Sequence, residues 1–336
     1  MIQDFSNVLS DRRILITGGT GSFGHQVLNE LLNYNPKQII IFSRDEDKQH
    51  KMRSEYRKEY ESGKLKFVIG DVRDYRRLLE IFKNVDVVFH AAALKHVPYG
   101  EFHPMEIVKT NILGAHNVKE ASIECGVSNL VAISTDKAVK PINAMGISKA
   151  LQEKVLLNNA GNEDKITISC VRYGNVLGSR GSVMPLFDSK LSKKEPLPIT
   201  HPEMTRFMLT LPQAIELVFH TLANSKGGEI FVKKSPACKI IDLAQAYAEV
   251  MTQNENYPIE IIGIRPGEKI HELLVAEEEM HRARETDTHF IVQPFNEMQN
   301  IRPDEQRKLR FYGSNNTTML DKQGLLDMLR VTKWIQ

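Results

Sequence analysis

The sequence has few of the residues that build disulfide frameworks, metal sites or membrane spans. Its three cysteines, Cys125, Cys170 and Cys238, lie far apart, and none forms a CxxC pair. This usage argues against a disulfide framework and against a zinc site, so we expect no metal and a reducing compartment. No run of about 18 apolar residues occurs, and the N-terminus lacks the apolar stretch of a signal peptide. We therefore expect a soluble, cytoplasmic protein without a membrane partner.

A large excess of charge of one sign is also absent. The 44 basic and 42 acidic side chains leave a formal net charge of +2. A nucleic-acid partner is not expected, because such proteins usually carry a basic stripe. The hydrophobic fraction of 41% over 336 residues is enough for a sizeable core.

The first half of the chain alternates short apolar runs with longer amphipathic segments. The runs read RILIT, QIIIF, KLKFVIG, VDVVFHA, NLVAIS and TISCVRYGN. Continuous apolar runs separated by helical segments are typical of a parallel sheet covered on both faces. The sequence therefore predicts an α/β fold with a doubly wound, Rossmann-type sheet.

Beyond about residue 180 the pattern becomes irregular. Thr210 and Pro212 are placed to begin a helix over LPQAIELVFHTL, and a strand GEIFVK, a helix IIDLAQAYAEVM and a strand IEIIG follow. We expect a cofactor domain over residues 1–178. Residues 179–336 should form a smaller mixed α/β substrate lobe, with some segments returning to the core domain.

A glycine-rich loop follows the first predicted strand in ILITGGTGSFG. Glycine lets the backbone turn sharply and approach a pyrophosphate at the positive end of the next helix, which predicts dinucleotide binding. The loop residues assigned to this role are Gly18, Thr20, Gly21, Ser22, Phe23 and Gly24.

The end of the second strand bears on the choice of cofactor. An NAD site usually has an acid there, whereas this chain has Ser43 and Arg44. An arginine suits the 2′-phosphate of NADP, so NADP is favoured and NAD stays possible, with Asp45 then binding the ribose. Further cofactor contacts are expected at the ends of later strands: Asp71, Val72, Ala91, Ala92, Ala93, Lys95, Lys149, Tyr173 and Asn175.

Motifs spread over most of the chain resemble the extended short-chain dehydrogenase/reductase superfamily, and more narrowly the inverting UDP-N-acetylglucosamine 4,6-dehydratases of bacterial polysaccharide synthesis, including capsule and O-antigen. The motifs are TGGTGSFG, FSRDE, GDVRD, HAAALKHVP, STDKAVKPINAMG, RYGNVLGSRGSVMPLF, MTRF and RPGEKIHE. The resemblance implies oxidation at C4 of the sugar, loss of the C5 proton, departure of the C6 hydroxyl, hydride return to C6 and inversion at C5.

The same resemblance gives roles to a short segment. Lys137 matches the base for the C5 proton, and Asp136 matches the group that serves the C6 leaving group. A lysine is a base near neutral pH only if its pKa is lowered. Lys149 or a positive nicotinamide ring is expected to lower it.

Met145 departs from the superfamily pattern, which has a tyrosine four residues before the lysine found here as Lys149. That tyrosine is the usual base for the C4 hydroxyl. Without it, the proton of the C4 hydroxyl would leave through Lys137, or through Thr135 and water to Lys149. Alternatively, Met145 only packs against the sugar and C4 oxidation is slow or absent.

The later motifs are expected to hold a UDP-sugar. Arg265 is assigned to the pyrophosphate, because a guanidinium forks onto phosphate oxygens, and Glu268 to the uridine ribose. The full substrate set is Lys95, Asn175, Arg180, Ser182, Val183, Met204, Thr205, Arg206, Arg265 and Glu268.

Two other functions stay open. A UDP-glucose or UDP-N-acetylglucosamine 4-epimerase would share the fold, the cofactor and C4 oxidation. A non-catalytic NADP-binding subunit has only Met145 in its favour. The resemblance also implies a homo-oligomer, with a hexamer as one form.

Overall fold

The computed structural model describes residues 4–158, 166–178, 183–294 and 310–335. The strands are β1 Arg13–Thr17, β2 Gln38–Ser43, β3 Leu65–Ile69, β4 Val87–His90, β5 Asn129–Ile133, β6 Thr167–Arg172, β7 Asn175–Val176, β8 Leu197–Ile199, β9 Thr205–Leu209, β10 Ile230–Lys233, β11 Ala237–Lys239, β12 Ile259–Ile261, β13 Leu273–Val275, β14 Ala283–Glu285, β15 His289–Val292 and β16 Tyr312–Gly313.

The helices connect these strands. They are α1 Ser6–Leu9, α2 Ser22–Leu32, α3 Glu46–Glu55, α4 Arg57–Glu61, α5 Tyr75–Phe82, α6 Val97–Phe102, α7 Pro104–Ile107, α8 Gly114–Glu124, α9 Ala144–Leu157, α10 Val183–Ser192, α11 Leu211–Asn224, α12 Ile240–Thr252, α13 Glu277–Met280 and α14 Lys322–Val331. A π-helical segment, Val108–Leu113, precedes α8, and a 3₁₀ turn, Asp136–Ala138, follows β5.

The main sheet confirms the predicted fold class. Its nine strands run in the order β14-β15-β10-β6-β5-β4-β1-β2-β3. Neighbouring strands pair in parallel among β3, β2, β1, β4, β5, β6 and β10. The strands β15 and β14 add an antiparallel edge next to β10. The order reverses between β1 and β4, and in such sheets ligands bind outside the carboxyl ends of the strands at this point. Buried apolar clusters cover both faces.

The sixth predicted strand is shorter than TISCVRYGN. β6 ends at Arg172, and Asn175 belongs to β7, which pairs with β9 in a separate small sheet. Gly174 permits this departure from the main sheet, because a Cβ atom there would lie 2.6 Å from the Phe207 Cβ.

The later part of the chain contributes to two places. The elements β7, β8, β9, β11 and β12 form two small sheets outside the main one. A separate buried cluster lies among α10, α12 and α14. In contrast, β10, β14 and β15 join the main sheet. The division into residues 1–178 and 179–336 stays a prediction.

The predicted start of α11 is confirmed. The Thr210 side chain accepts a hydrogen bond from the Gln213 N–H, and the Gln213 side chain accepts one from the Thr210 N–H. This capping box satisfies two N–H groups that the helix cannot pair internally. Across the described ranges of the chain, none of the helices has the length and apolar character needed to cross a membrane.

Candidate active site

The glycine loop lies where the sheet order reverses. Gly18 has a φ of +67°, and a Cβ atom there would lie 2.8 Å from the Ala92 Cα. A Cβ atom on Gly24 would lie 2.4 Å from the Gly19 carbonyl oxygen, so α2 approaches β1 closely. Helix α2 begins directly after Gly21, where no side chain of the described residues caps it. This arrangement fits a dinucleotide pyrophosphate.

Several predicted cofactor residues surround this loop. Thr17, which ends β1, is joined to His90, which ends β4, by a 2.8 Å bond between Oγ1 and Nδ1. The Ala92 N–H donates to the same Oγ1 over 3.3 Å, which fixes the loop containing Ala91 to Ala93. The Phe23 ring stacks on Tyr173 with centroids 6.4 Å apart. Thr20 is buried, while Ser22 lies in the first turn of α2.

The end of β2 carries an exposed arginine. Arg44 Nη1 lies 3.4 Å from Asp71 Oδ2, and the same oxygen accepts a 2.7 Å bond from Arg73. Burial acts to raise the pKa of Asp71, but the hydrogen bonds and charges of Arg73 and Arg44 hold it below its ordinary value. Asp45, the alternative ribose ligand, accepts from the Lys48 N–H over 2.9 Å and caps α3.

Two further predicted cofactor residues are buried next to these. Ser43 accepts bonds from the buried Gln49 side chain. Val72 packs against α8, where a Cβ atom on Gly114 would meet it at 2.7 Å. Their contacts with a cofactor stay predictions.

The turn after β5 brings three predicted catalytic residues together. Asp136 is fully buried, and its Oδ1 accepts a 2.7 Å bond from the Thr135 hydroxyl. Lys137 Nζ donates to the same oxygen over 3.0 Å. The Asp136 N–H donates to the Tyr173 carbonyl oxygen, which ties the turn to the end of β6.

A second buried carboxylate completes this group, and sequence reasoning missed it. Glu272 Oε1 lies 3.4 Å from Lys137 Nζ. Lys269 Nζ is 3.8 Å from the other Glu272 oxygen and donates to the Val139 carbonyl over 2.6 Å. Glu272 closes the motif RPGEKIHE, and its position there is the only signal that pointed to it.

The charges around Lys137 differ from the expected ones. Burial acts to lower the pKa of this ammonium, but Asp136 and Glu272 raise it above its ordinary value. The expectation of a lowered pKa at Lys137 is therefore wrong. Lys149, the expected source of positive charge, donates to the Ile133 carbonyl over 2.8 Å.

Helix α9 packs closely against the turn after β5. A Cβ atom on Gly146 would lie 2.4 Å from the Lys137 carbonyl oxygen, so this position tolerates only glycine. Asn143 caps the helix through the Gly146 N–H at 2.7 Å. Met145 and Lys149, one turn apart, are both buried. Burial lowers the pKa of Lys149 to about 8, against smaller opposing effects of neighbouring groups.

The loop containing Arg265 and Glu268 reaches the start of α9. Asn143 Nδ2 donates to the Gly267 carbonyl oxygen over 2.8 Å. Arg265 is exposed, with Nη1 3.7 Å from Glu268 Oε1. Its guanidinium thus faces solvent beside the site, and its phosphate role stays a prediction.

Arg206 is oriented differently. It is buried, and its guanidinium donates to the carbonyls of Thr205, Lys269 and Ile270 at 2.7, 2.9 and 3.0 Å. It therefore holds the backbone that carries Lys269 and Glu272, and direct contact with substrate stays a prediction.

The remaining substrate residues are scattered. Met204 and Thr205 are buried, Lys95 and Asn175 are exposed, and Val183 begins α10. Arg180 and Ser182 lie outside the described residues.

A π-helical turn supplies another residue that sequence reasoning missed. Asn111 is buried and exchanges hydrogen bonds with Leu94, donating to its carbonyl over 2.9 Å and accepting from its N–H over 2.8 Å. Its amide also donates to the Ser148 hydroxyl on α9 over 2.9 Å. Asn111 thereby fixes the loop after β4 against α9. A π-bulge often marks a functional site, but its sequence carries no distinct signal.

The fold is a doubly wound α/β sheet with a glycine loop after β1 and a charged turn after β5. The family model described as polysaccharide biosynthesis protein matches residues 14–294. The chain belongs to this family.

Curated relatives extend over the whole length. The chain is 40% identical over 342 residues to an uncharacterized membrane protein of Methanocaldococcus jannaschii, covering 100% of each. It is 43% identical over 339 residues to a UDP-glucose 4-epimerase of Rickettsia felis, covering 97% of each.

Solved structures share the fold. Pen from Bacillus thuringiensis superposes with a TM-score of 0.87 at 35% identity, covering 96% of this chain and 99% of that one. DesIV, a dTDP-glucose 4,6-dehydratase from Streptomyces venezuelae with NAD and TYD bound, has a TM-score of 0.68 at 20% identity, covering 77% and 86%. The second likeness concerns the fold alone.

The burial of Lys149 predicts a pH-dependent stability. Below about pH 8 the folded protein holds a buried ammonium, which costs stability. Between that value and the ordinary 10.5, the folded protein loses the proton before the unfolded chain does, so stability rises with pH. Lys149→Met should therefore raise the free energy of unfolding near pH 7, on the order of 2–3 kcal/mol.

Denaturant titration at several pH values measures this effect. The gain should shrink toward pH 10.5, and Lys154→Met, an exposed position on the same helix, should change little. A Lys149→Met protein that is less stable than wild type by the same amount at every pH would contradict the account.

Proposed function

We propose that the protein is a UDP-N-acetylglucosamine 4,6-dehydratase that inverts C5, acting in surface polysaccharide synthesis such as capsule or O-antigen. The observation that carries the proposal is the contact between Asp136 and Lys137, 3.0 Å apart in the turn after β5. Elimination of water needs a base for the C5 proton and an acid for the leaving C6 hydroxyl, whereas epimerisation at C4 needs neither of these two groups.

The side chains divide the work as follows. A bound nicotinamide would take up hydride from C4 and later supply it to C6. Lys137, whose side chain is 25% exposed, removes the C5 proton. Asp136 then accepts this proton from the Lys137 ammonium, 3.0 Å away, and passes it to the C6 hydroxyl as it leaves. The C4 hydroxyl loses its proton through Lys137, or through Thr135 and water to Lys149.

Met145 is part of this proposal. Its thioether cannot move a proton, and its side chain is 4% exposed. We therefore assign it packing within the site and leave proton transfer to Thr135, Lys137 and Lys149. These three lie on the two elements that Gly146 brings together.

A UDP-sugar 4-epimerase is the second candidate. The name of the Rickettsia felis relative favours it. An epimerase would oxidise C4 and return hydride to the same carbon, so the ion pair of Asp136 and Lys137 would have no proton to transfer at C5 or C6.

Product analysis separates the two functions. With UDP-N-acetylglucosamine, we expect proton NMR to detect a 4-keto-6-deoxy sugar with a new methyl signal. Lys137→Met should lower its formation by about 10²–10⁴-fold, because a positioned base is lost. Lys140→Met changes an exposed lysine of the same segment and serves as the control.

Two other outcomes would contradict the proposal. A C4 epimer without a methyl signal would establish the second candidate. Full activity of Lys137→Met would exclude this side chain as the C5 base.

We further propose NADP as the cofactor. Arg44 is exposed at the end of β2, while Asp45 is engaged in capping α3. Denaturing the purified protein should release NADP, and Arg44→Asp should shift the preference toward NAD. Arg57→Asp, an exposed arginine on α4, is the matched charge control. Release of NAD alone from the wild-type protein would overturn this assignment.

We also propose a homo-oligomer, with a second copy of the chain covering exposed apolar side chains. Phe102 and Met105 are 82% and 61% exposed, and Ile147 and Leu151 lie one turn apart on α9, 54% and 43% exposed. The helices α6 and α7 pack against α9, so these residues occupy neighbouring elements. No such stripe was evident from the sequence.

Light scattering tests the assembly. The wild-type protein should have a mass that is a multiple of 38.2 kDa. Phe102→Glu should shift it toward the monomer, because a charge would be buried without a partner. A monomeric wild-type protein at micromolar concentration would exclude the proposal.

A further inference from the structure

Lys137 is held between two carboxylates that differ from it in exposure. Its Nζ lies 3.0 Å from Asp136 Oδ1 and 3.4 Å from Glu272 Oε1. The side chains of Asp136 and Glu272 are 1% and 2% exposed, whereas that of Lys137 is 25% exposed. Lys137 is therefore the member of this group that solvent reaches most, and both carboxylates are buried.

Glu272 is fixed in this position from two sides. Its N–H donates to the Ser314 hydroxyl over 3.0 Å, and its carbonyl accepts from the Ser314 N–H over 2.8 Å. The same hydroxyl is 2.7 Å from Thr205 Oγ1. Ser314 thus pairs with both backbone groups of Glu272 and is itself held by Thr205, which restricts the directions that the Glu272 side chain can take.

The charged groups facing Glu272 come from the turn after β5, from β9 and from the segment before β13. They are Asp136 and Lys137, Arg206, and Lys269. Burial and the Asp136 charge raise the pKa of Glu272, and the three cations oppose this effect. Its Oε2 is buried without a hydrogen-bond partner among the described residues. Glu272 is thus placed to accept a proton from within the site.

The other neighbours already have partners. Asp136 accepts from the Thr135 hydroxyl, and in the proposed reaction it serves the C6 hydroxyl. Lys269 donates to the Val139 carbonyl. Of the ion pairs that Glu272 makes with described residues, the one with Lys137 is the shorter, at 3.4 Å against 3.8 Å for Lys269.

We propose that Glu272 is a positioning residue that takes the proton of Lys137, so that Lys137 meets the substrate as a neutral amine. This role rests on the proposed function, and it explains how Lys137 loses its proton and becomes the C5 base. The ammonium and the carboxylate become an amine and a carboxylic acid, and no proton enters or leaves the pair.

In the next step the neutral amine takes the C5 proton, and the electron pair of the C–H bond passes into the enolate of the C4 ketone. Lys137 is then an ammonium beside the enolate, while Glu272 stays protonated. A base formed by internal transfer works even though two carboxylates otherwise keep the lysine charged.

A distinctive pH dependence follows. In the wild-type protein the transfer is internal, so the rate of deuterium entry from solvent at C5 should be nearly constant between about pH 6.5 and 8.5. In Glu272→Gln, Lys137 must release its proton to solvent. The rate should then be lower near pH 6.5 and rise about tenfold per pH unit.

The experiment follows deuterium entry at C5 of UDP-N-acetylglucosamine by NMR across this pH range. Glu272→Asp keeps a carboxylate and should restore a flat profile at a reduced rate. Glu277→Gln, an exposed neighbour in the same segment, should match the wild type. A purely structural role would lower the rate of Glu272→Gln by one factor at every pH and would overturn the inference.

The wild-type profile is a second measurement that does not depend on the folding of a variant. A wild-type rate that itself rises about tenfold per pH unit would also overturn the role of Glu272. The proposed function fails in a different way, since a wild-type protein that forms only the C4 epimer and incorporates no deuterium at C5 would refute the dehydratase itself.

Discussion

The close approach of α9 to the turn after β5 is the constraint on which the site depends. Gly146 allows it, because any larger residue would place an atom 2.4 Å from the Lys137 carbonyl. The contact sets Lys149 and Met145 beside the catalytic turn. Asn143 extends the same junction to the loop of Arg265 through its bond to Gly267. This junction therefore joins the turn after β5, the start of α9 and the loop of Arg265.

The site concentrates buried charge, which is costly unless each group is paired. Behind the catalytic turn, Arg172 on β6 makes 2.6 and 2.7 Å bonds to Glu153 on α9 and to Glu279 on α13. This buried ion-pair network joins three elements under the site. In contrast, Lys149 donates to a backbone carbonyl, and Glu272 Oε2 has no hydrogen-bond partner among the described residues. Such incomplete pairing lowers stability and is typical of groups whose proton affinity serves a reaction.

The apolar runs predicted the main strands and the parallel sheet, and the glycine positions predicted the loop after β1. Both patterns reflect backbone geometry directly. The cluster of Thr135, Asp136 and Lys137 was predictable for the same reason, since these residues directly follow a buried strand. Glu272 and the backbone contacts of Arg206 were not, because side-chain direction within an irregular loop has no periodic signal. The exposed apolar residues on α6 and α9 were also missed, since they are neighbours only after folding.

The central claim is that Asp136 and Lys137 serve an elimination in which hydride moves within one sugar. The most direct test uses UDP-N-acetylglucosamine carrying deuterium at C4. The account predicts that the label appears in the C6 methyl group of the product, detected by deuterium NMR. Deuterium that stays at C4 in an epimerised sugar would contradict it.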